Sequence, residues 1–194
     1  MAKESFLEEL ARLLRESSYV TAFTGAGIST LSGIRDFRGK NGIYKSADAD
    51  KMFDIDWFQK DPSIYYRNSK ELIYNLEAKT PSIVHTELAR LEKKGIVRAV
   101  ITQNIDLLHK KAGSEKVLEI HGTPDTHMCL RCGKTIPFSE AASIVNSGIL
   151  PECSLCGGIV KPDIVFFGEP LPSDTFSLAV EEAGKSDLML LLGS

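Results

Sequence analysis

The chain has 194 residues, 43% hydrophobic and 25% charged, with a net charge of −3 from 23 basic and 26 acidic side chains. That length suits one large domain, or one domain with a small insertion, and the composition is that of a soluble globular protein with a real core. A near-balanced charge without a long basic tract gives no reason to expect nucleic acid as the main partner. The longest apolar run, 188–192, is far short of the roughly 20 residues needed to span a bilayer.

Taken in chain order, Ser5 and Glu8 have capping-box spacing, and Phe6, Leu7, Leu10, Leu13 and Leu14 recur at helical intervals. This opening reads as an amphipathic helix and not as a secretory core, so the expected location is cytoplasmic, or nuclear in a cell with a nucleus. Residues 19–24 predict a buried strand running into Gly25-Ala26-Gly27, with a helix pattern resuming near Ile28. The stretch 36–66 is polar and aromatic-rich, and reads as loop with short helices. Residues 81–94 predict a helix closed by Gly95 as C-cap. A strand at 97–102, a helix at 105–112 and a strand at 117–121 follow. Residues 129–161 break this rhythm and hold every cysteine. Beyond them lie a predicted strand at 164–167, a helix at 174–184 and a strand at 188–192. Such alternation predicts an α/β fold, a parallel sheet with helices on both faces, interrupted by a small insertion.

A glycine turn between a buried strand and a helix lets backbone N–H groups approach a pyrophosphate at the positive helix end. Gly25 and Gly27 fit the dinucleotide fingerprint, but Thr30 occupies its third glycine position. No acidic residue obviously ends the second strand to take a ribose. Alone, the pattern suits a plain tight turn as well as a nucleotide site.

Cys129-x-x-Cys132 and Cys153-x-x-Cys156 are separated by 20 residues, and Gly133 and Gly157 follow each pair where a knuckle turns. Two such knuckles close a tetrahedron of sulfur ligands around one zinc ion; two disulfides or four buried thiols are the alternatives. Four thiolates leave no open coordination position, so the ion would be structural. His127 lies nearby, but the quartet is complete without it and the imidazole reads as solvated.

Gly25-Ala26-Gly27-Ile28-Ser29, Gly33-Ile34-Arg35-Asp36-Phe37-Arg38-Gly39, Gln103-Asn104-Ile105-Asp106, His121-Gly122, the cysteine quartet and Ile164-Val165-Phe166-Phe167-Gly168-Glu169 follow one another in order. Together they resemble the sirtuin family, from about residue 20 to the last residue. The resemblance implies a Rossmann-like NAD-binding domain over 1–123 and 163–194, with a cofactor loop at about 33–66, and a structural zinc-binding module over 124–162. It implies an NAD-dependent protein lysine deacetylase that consumes NAD as co-substrate. The acyl oxygen attacks the ribose carbon bearing nicotinamide, nicotinamide leaves, and the acetyl group ends on ADP-ribose.

Residue by residue, the resemblance makes His121 the catalytic base, a role suited to an imidazole of pKa ~6.5, although a hydrogen-bonded core histidine is the plainer reading of its position. Asn104 and Ser29 match polar residues that order the ribose and a bound water, with Asn104 counted as catalytic. Asp106 matches the residue that recognises the nicotinamide carboxamide, and Gln103 and Ile105 line the same pocket. The 104–106 run serves equally well as a helix N-cap, and both roles can coexist. Asp36, Phe37 and Arg38 match the cofactor loop; there an aromatic face shields the ribose and a guanidinium pairs with phosphate. Gly25, Ala26, Gly27 and Thr30 match the glycine turn, and Gly193 and Ser194 a later cofactor contact at a strand end. Val165, Phe167, Gly168 and Glu169 match the segment that binds an acetylated peptide as an added strand, its acyl-lysine entering an apolar tunnel. The plainer alternative is a core strand.

Arg35 stands where many family members carry proline, which loosens the loop by less than about 1 kcal/mol. Pro170 offers no N–H to a peptide. Relatives that take acidic acyl groups place arginine three residues after a tyrosine; here Tyr65 and Tyr66 are followed at that offset by Asn68 and Ser69, so a neutral group, acetyl first, is expected. Sirtuins continue past 188–194 with further strands and helices. The sequence thus reads as a sirtuin cut short at its C-terminal end, with weak cofactor affinity, an exposed sheet edge and little activity expected if these 194 residues are the whole molecule. Protein ADP-ribosyl transfer and a non-catalytic zinc-stabilised binding module are the competing functions.

Overall fold

The computed structural model describes residues 2–39, 42–45 and 49–193. Helix α1 (Ala2–Glu16) starts three residues before the expected cap. Ala, Lys and Glu are strong helix formers, so the helix propagates upstream of Ser5 and the Ser5–Glu8 pair lies inside it. Strand β1 (Val20–Thr24) leads into the glycine turn, and the helical pattern near Ile28 becomes a 3-10 helix, Ala26–Ser32.

The aromatic stretch folds into α2 (Ala49–Met52), α3 (Ile55–Lys60) and α4 (Pro62–Ser69). Local capping sets two of these starts: the carboxylate of Asp54 accepts the Trp57 N–H at 2.9 Å, and that of Asp61 accepts the Ser63 N–H at 3.0 Å. Helix α5 (Ile83–Lys93) is closed by Gly95, whose φ of +70° is the left-handed conformation a helix stop requires. Strand β2 (Val97–Thr102) follows as expected. Helix α6 (Leu108–Lys111) is shorter than the expected 105–112, because the Asp106 carboxylate caps the Leu108 N–H at 3.0 Å and Leu107 takes φ +62°. Strand β3 (Val117–Glu119) stops before Ile120 and His121.

Strands β4 (Gly122–Cys129) and β5 (Thr135–Pro137), helix α7 (Phe138–Asn146) and strand β6 (Val160–Ile164) form the insertion. Helix α8 (Ser173–Lys185) and strand β7 (Leu188–Leu192) return to the main sheet.

That sheet is parallel throughout, in the order β3-β2-β1-β7. Alternate side chains fill opposite faces. Val20, Ala22, Val97 and Val100 pack with Leu14 of α1 and Leu88 of α5, whereas Ile101 packs with Ala179 of α8. Helices thus cover both faces, as the alternation predicts.

The second sheet is antiparallel, β5-β4-β6, and spans 122–164. It corrects the expected strand at 164–167: only Ile164 lies in a strand, and that strand belongs to the insertion. The chain leaves the sheet beyond Val165, whose N–H still follows the β4–β6 register, because Phe167 is held elsewhere. The Val165 N–H donates to the His121 carbonyl at 2.8 Å, the Phe167 N–H to Phe53 at 2.6 Å, and the Ile55 N–H to Phe167 at 3.1 Å.

The largest apolar cluster joins the α2–α4 region to α7, with Phe58 and Tyr65 packed against Phe166, Tyr74 against Phe138, and Tyr66 against Phe58 and Tyr74. His127 belongs to this interface and is not solvated, contrary to expectation. It is fully buried, with Nε2 2.7 Å from the Tyr74 hydroxyl, and burial pushes its pKa down to about 4. Position 127 faces the helical core because β4 alternates, hiding His127 and Cys129 and exposing Met128.

Candidate active site

The carboxyl ends of β1, β2 and β7 meet at one edge of the parallel sheet, on either side of the point where the strand order reverses. Ligands bind at such a switch point in open α/β sheets. Three backbone bonds lock the loops together there: Gly25 N–H to the Leu192 carbonyl (3.0 Å), Gln103 N–H to Thr24 (3.1 Å) and Gly27 N–H to Gly193 (2.9 Å). A Cβ on Gly27 would lie 2.8 Å from the Cα of Gly193, so this approach of two backbones requires glycine.

Behind that turn lies a buried polar knot. The Ser29 hydroxyl donates to Asp106 Oδ2 at 2.5 Å. The Asn104 amide donates to the Gly25 carbonyl at 3.2 Å and to Ser29 Oγ at 3.3 Å. The Asn104 N–H donates to the Thr102 hydroxyl at 3.0 Å, and Thr24 lies 2.8 Å from that hydroxyl and 2.9 Å from His109 Nε2. One oxygen of Asp106 thus caps α6 and the other is held by Ser29.

His121 follows β3 and precedes β4. Its Nδ1 sits 3.0 Å from the Gln103 carbonyl, an acceptor only, so Nδ1 carries the proton and Nε2 has the free lone pair. Burial lowers its pKa below the ordinary imidazole value, opposed by the Gln103 bond.

These groups line one cleft of about 940 Å³. Its walls include Gly25, Ala26, Gly27, Asp36, Phe37 and Arg38 from the first part of the chain. Gln103, Asn104, Ile105, His121 and Gly193 come from the strand ends, and Val165, Phe167, Gly168 and Glu169 from the loop after β6. Ser29 and Asp106 line a small adjoining pocket with Arg35. One expected residue stands apart. Thr30 is exposed and lines neither space; its hydroxyl donates to the Gly27 carbonyl at 2.9 Å, so it braces the turn. Ser194 lies outside the described residues.

Sequence reasoning missed Tyr44, Phe53, Phe166 and Leu171, which also line the cleft. The Phe37 ring packs at a tilt against Tyr44 at 5.4 Å and Phe53 at 5.9 Å, and Tyr44 approaches Phe167 at 6.1 Å. The aromatic bias of 36–66 was the available signal, but without periodicity it did not single out positions.

Away from the cleft, the four sulfur atoms lie within 4.8 Å of one another. Cys129 and Cys156 are 3.5 Å apart, Cys132 and Cys153 3.6 Å, and all four are thiols, which removes the disulfide alternative. Zinc–sulfur bonds of about 2.3 Å in a tetrahedron put sulfurs about 3.8 Å apart, so the quartet fits one structural zinc ion. Burial raises the Cys129 thiol, but the N–H groups of Cys132 and Arg131 outweigh it and bring the value down to about 6. The Leu155 N–H lowers Cys153 in the same way. Both shifts favour the thiolate a metal needs, whereas for Cys156 the Gly158 N–H is outweighed by burial and the three neighbouring sulfurs, which push it up to about 12.

Residues 25–194 match the Sir2 family. An NAD-dependent protein deacetylase of Thermotoga maritima is 45% identical over 188 residues, covering 97% of this chain and 76% of that protein. NAD-dependent protein deacylase 2 of Archaeoglobus fulgidus is 43% identical over 192 residues, covering 98% and 76%. A solved Sir2 variant with a deacetylated p53 peptide and 3'-O-acetyl ADP-ribose matches with a TM-score of 0.91 at 45% identity, covering 97% of this chain and 76% of that one. A Sir2–p53 peptide–NAD+ structure matches at 0.87 and 42%, covering 97% and 75%.

Proposed function

The chain belongs to the Sir2 family, the sirtuins, and from that premise we propose that it is an NAD-dependent protein lysine deacetylase that moves the acetyl group to ADP-ribose and releases nicotinamide. The observation that carries this reading is the position of His121, whose tautomer is set by Gln103 in a cleft shared by the glycine turn and the 165–169 loop.

Gly25, Ala26, Gly27 and Gly193 give this wall of the cleft almost no side chain, so a dinucleotide can approach its backbone closely, which fits NAD. Bound NAD supplies the electrophilic ribose carbon and the sugar that accepts the acetyl group. Gly25, Ala26, Gly27 and Gly193 would hold it along the sheet edge, Arg38 would pair with phosphate, and Phe37 would exclude water. Asp36, Gln103 and Ile105 would complete the walls, while Thr30 acts through the turn it braces. His121 Nε2 is the atom that takes a proton. Asn104 has spent its amide on Gly25 and Ser29, so its Oδ1 remains to accept from a hydroxyl or a water. Asp106 keeps lone pairs for a carboxamide N–H.

An acetylated peptide would pair with the cleft side of the loop carrying Val165, Phe167, Gly168 and Glu169. The other side is taken, since the Phe167 backbone already bonds Phe53 and Ile55. At the family's acidic-acyl positions Asn68 is exposed and Ser69 is buried and neutral, which supports a neutral acyl group. We assign 1–123 and 163–194 to the NAD-binding unit and 124–162 to the zinc module. Among the described residues no helix is long and apolar enough to cross a membrane. The thiol quartet and the balanced charge support a reducing cytoplasm and a peptide partner over nucleic acid.

Mass spectrometry of an acetyl-lysine peptide incubated with NAD tests the reading. The expected products are the deacetylated peptide, equimolar nicotinamide and O-acetyl-ADP-ribose. ADP-ribose attached to protein without the O-acetyl product would replace it with the transferase reading.

A further inference from the structure

Lys161 on β6 lines no part of the cleft, yet it is only 5% exposed. A lysine is almost never buried to this degree without partners. Its ammonium has three N–H donors and finds three acceptors: the Pro162 carbonyl at 3.2 Å, the Ile164 carbonyl at 2.7 Å and Glu169 Oε2 at 2.8 Å. The Phe166 ring covers it at 4.3 Å. Glu169 Oε2 also accepts the Phe166 N–H at 2.8 Å. The segment 162–169 is thus wrapped around a single cation, with its first carbonyls, its central ring and its last side chain all turned inward onto it.

A buried ion pair is weak support for stability, since a well-packed apolar residue often does as well. What the ammonium does supply is direction: it forces two carbonyls and one carboxylate to converge, and this fixes a loop that has no ladder of its own. That loop carries Val165, Phe166 and Phe167 into the cleft, and the Val165 N–H ties it to the carbonyl of His121.

We propose that Lys161 is a positioning residue for acyl-lysine peptide binding, the internal cation around which the substrate loop is built. This deepens the deacetylase reading and rests on it. Lys161 reaches the peptide only through the loop, so its loss should disturb peptide binding and spare the dinucleotide turn on the opposite wall.

The test uses the full chain as Lys161→Met, Lys161→Arg and Glu169→Gln. Affinity for a fluorescein-labelled acetyl-lysine peptide is read by anisotropy, NAD affinity by calorimetry, and KM and kcat by nicotinamide release. Lys161→Met should raise peptide Kd and KM about tenfold, the cost of ordering a loosened loop on binding. NAD affinity and kcat should stay near the parent values, and Lys161→Arg, which keeps the charge and its donors, should recover most of the loss. Parental peptide affinity in Lys161→Met, an equal loss of peptide and NAD binding, or no recovery in Lys161→Arg would each overturn the proposal. Should Lys161→Met fail to fold, Glu169→Gln decides, with weakened peptide binding expected and parental binding overturning it. A parent chain that removes no acetyl group would sink the deacetylase reading, while the anisotropy still reports on the loop.

Discussion

The Ser29 hydroxyl donates to Asp106 Oδ2 across 2.5 Å, joining the turn after β1 to the loop after β2. Both residues are buried, and the same Ser29 oxygen receives the Asn104 amide. Ser29→Ala would leave a buried carboxylate oxygen and a buried amide each short of a partner. Such a loss costs about 1–3 kcal/mol, so NAD affinity should fall by roughly tenfold or more. Calorimetric titration checks this, and parental affinity in the variant would show that the knot does not order the cofactor side of the cleft.

The approach of Gly27 to Gly193 makes a second point of strain testable. Gly27→Ala places a methyl 2.8 Å from a backbone carbon that no rotamer change can move. Overpacking of this kind costs about 1–3 kcal/mol, here at the edge where β1 and β7 deliver their loops. A lower urea midpoint together with weakened NAD binding is the expected result. A variant that unfolds and binds like the parent would show that the turn yields.

His121 gives the activity its expected acid limb. Its value is lowered by burial, so Nε2 stays unprotonated to a pH below the ordinary ~6.5 of imidazole. Plots of kcat/KM against pH should fall on the acid side with an apparent pKa under that value. His121→Asn should remove catalysis while leaving NAD binding in place. A limb well above 6.5 would mean that another group sets it.

The cofactor half of the cleft was legible because its chemistry sits in short contiguous runs: Gly25 to Ser29 and Gln103 to Asp106 each fold into one turn at a strand end. The zinc site was legible for the same reason, in two tight knuckles. What escaped reading depended on long-range packing. His127 has an ordinary polar neighbourhood in sequence, and only the docking of β4 on Tyr74 buries it. Lys161 reads as a surface lysine until the chain returns eight residues later with Glu169. The run 164–167 has strong strand propensity, yet Phe53 and Ile55 take the backbone of Phe167 from the sheet. Propensity is local: His127 and the 164–167 run were decided by partners more than forty residues away in the sequence, and Lys161 by a loop that folds back on it within eight residues.

His85 and His109 make stability depend on pH. Both are buried, their rings 4.7 Å apart, and His85 Nε2 and His109 Nδ1 find no partner among the described residues. Burial, and for His109 the neighbouring imidazole, lowers both values, that of His109 to about 3. The folded state therefore takes up these protons later than the unfolded chain. The stability gained by keeping the rings neutral is fully present above pH ~6.5 and is lost as the pH falls toward the folded values. Between those limits His109 alone contributes a slope of about 1.4 kcal/mol per pH unit. Urea midpoints at successive pH values from 7 to 4 should fall, and His109→Asn should flatten the decline. An unchanged slope in that variant would assign the acid sensitivity to other groups, the buried His85 and His127 or the carboxylates.

Zinc removal should strike both substrates at once. The insertion has little core of its own around the metal: Cys129, Cys153 and Val160, with Ile136 and Cys156 packed at the edge. Structural zinc contributes about 10 kcal/mol or more to such modules, so the 122–164 sheet should lose its order when the ion is withdrawn. That sheet is not remote from the chemistry. Strand β4 begins immediately after His121, and β6 ends where the 165–169 loop starts. Two buried bonds, Tyr66 hydroxyl to the Val160 carbonyl at 2.6 Å and Tyr74 to His127 at 2.7 Å, brace it against the helices. Titration with a strong chelator, with released metal read by a chromogenic dye, should show one equivalent of zinc leaving as deacetylation and the near-ultraviolet circular dichroism collapse together. Cys132→Ser should reproduce the effect, although Cys132 is exposed and far from the cleft walls. If the metal left and peptide turnover persisted, the helical contacts alone would be holding β4 and β6 in register, and the ion would be dispensable to the geometry of His121.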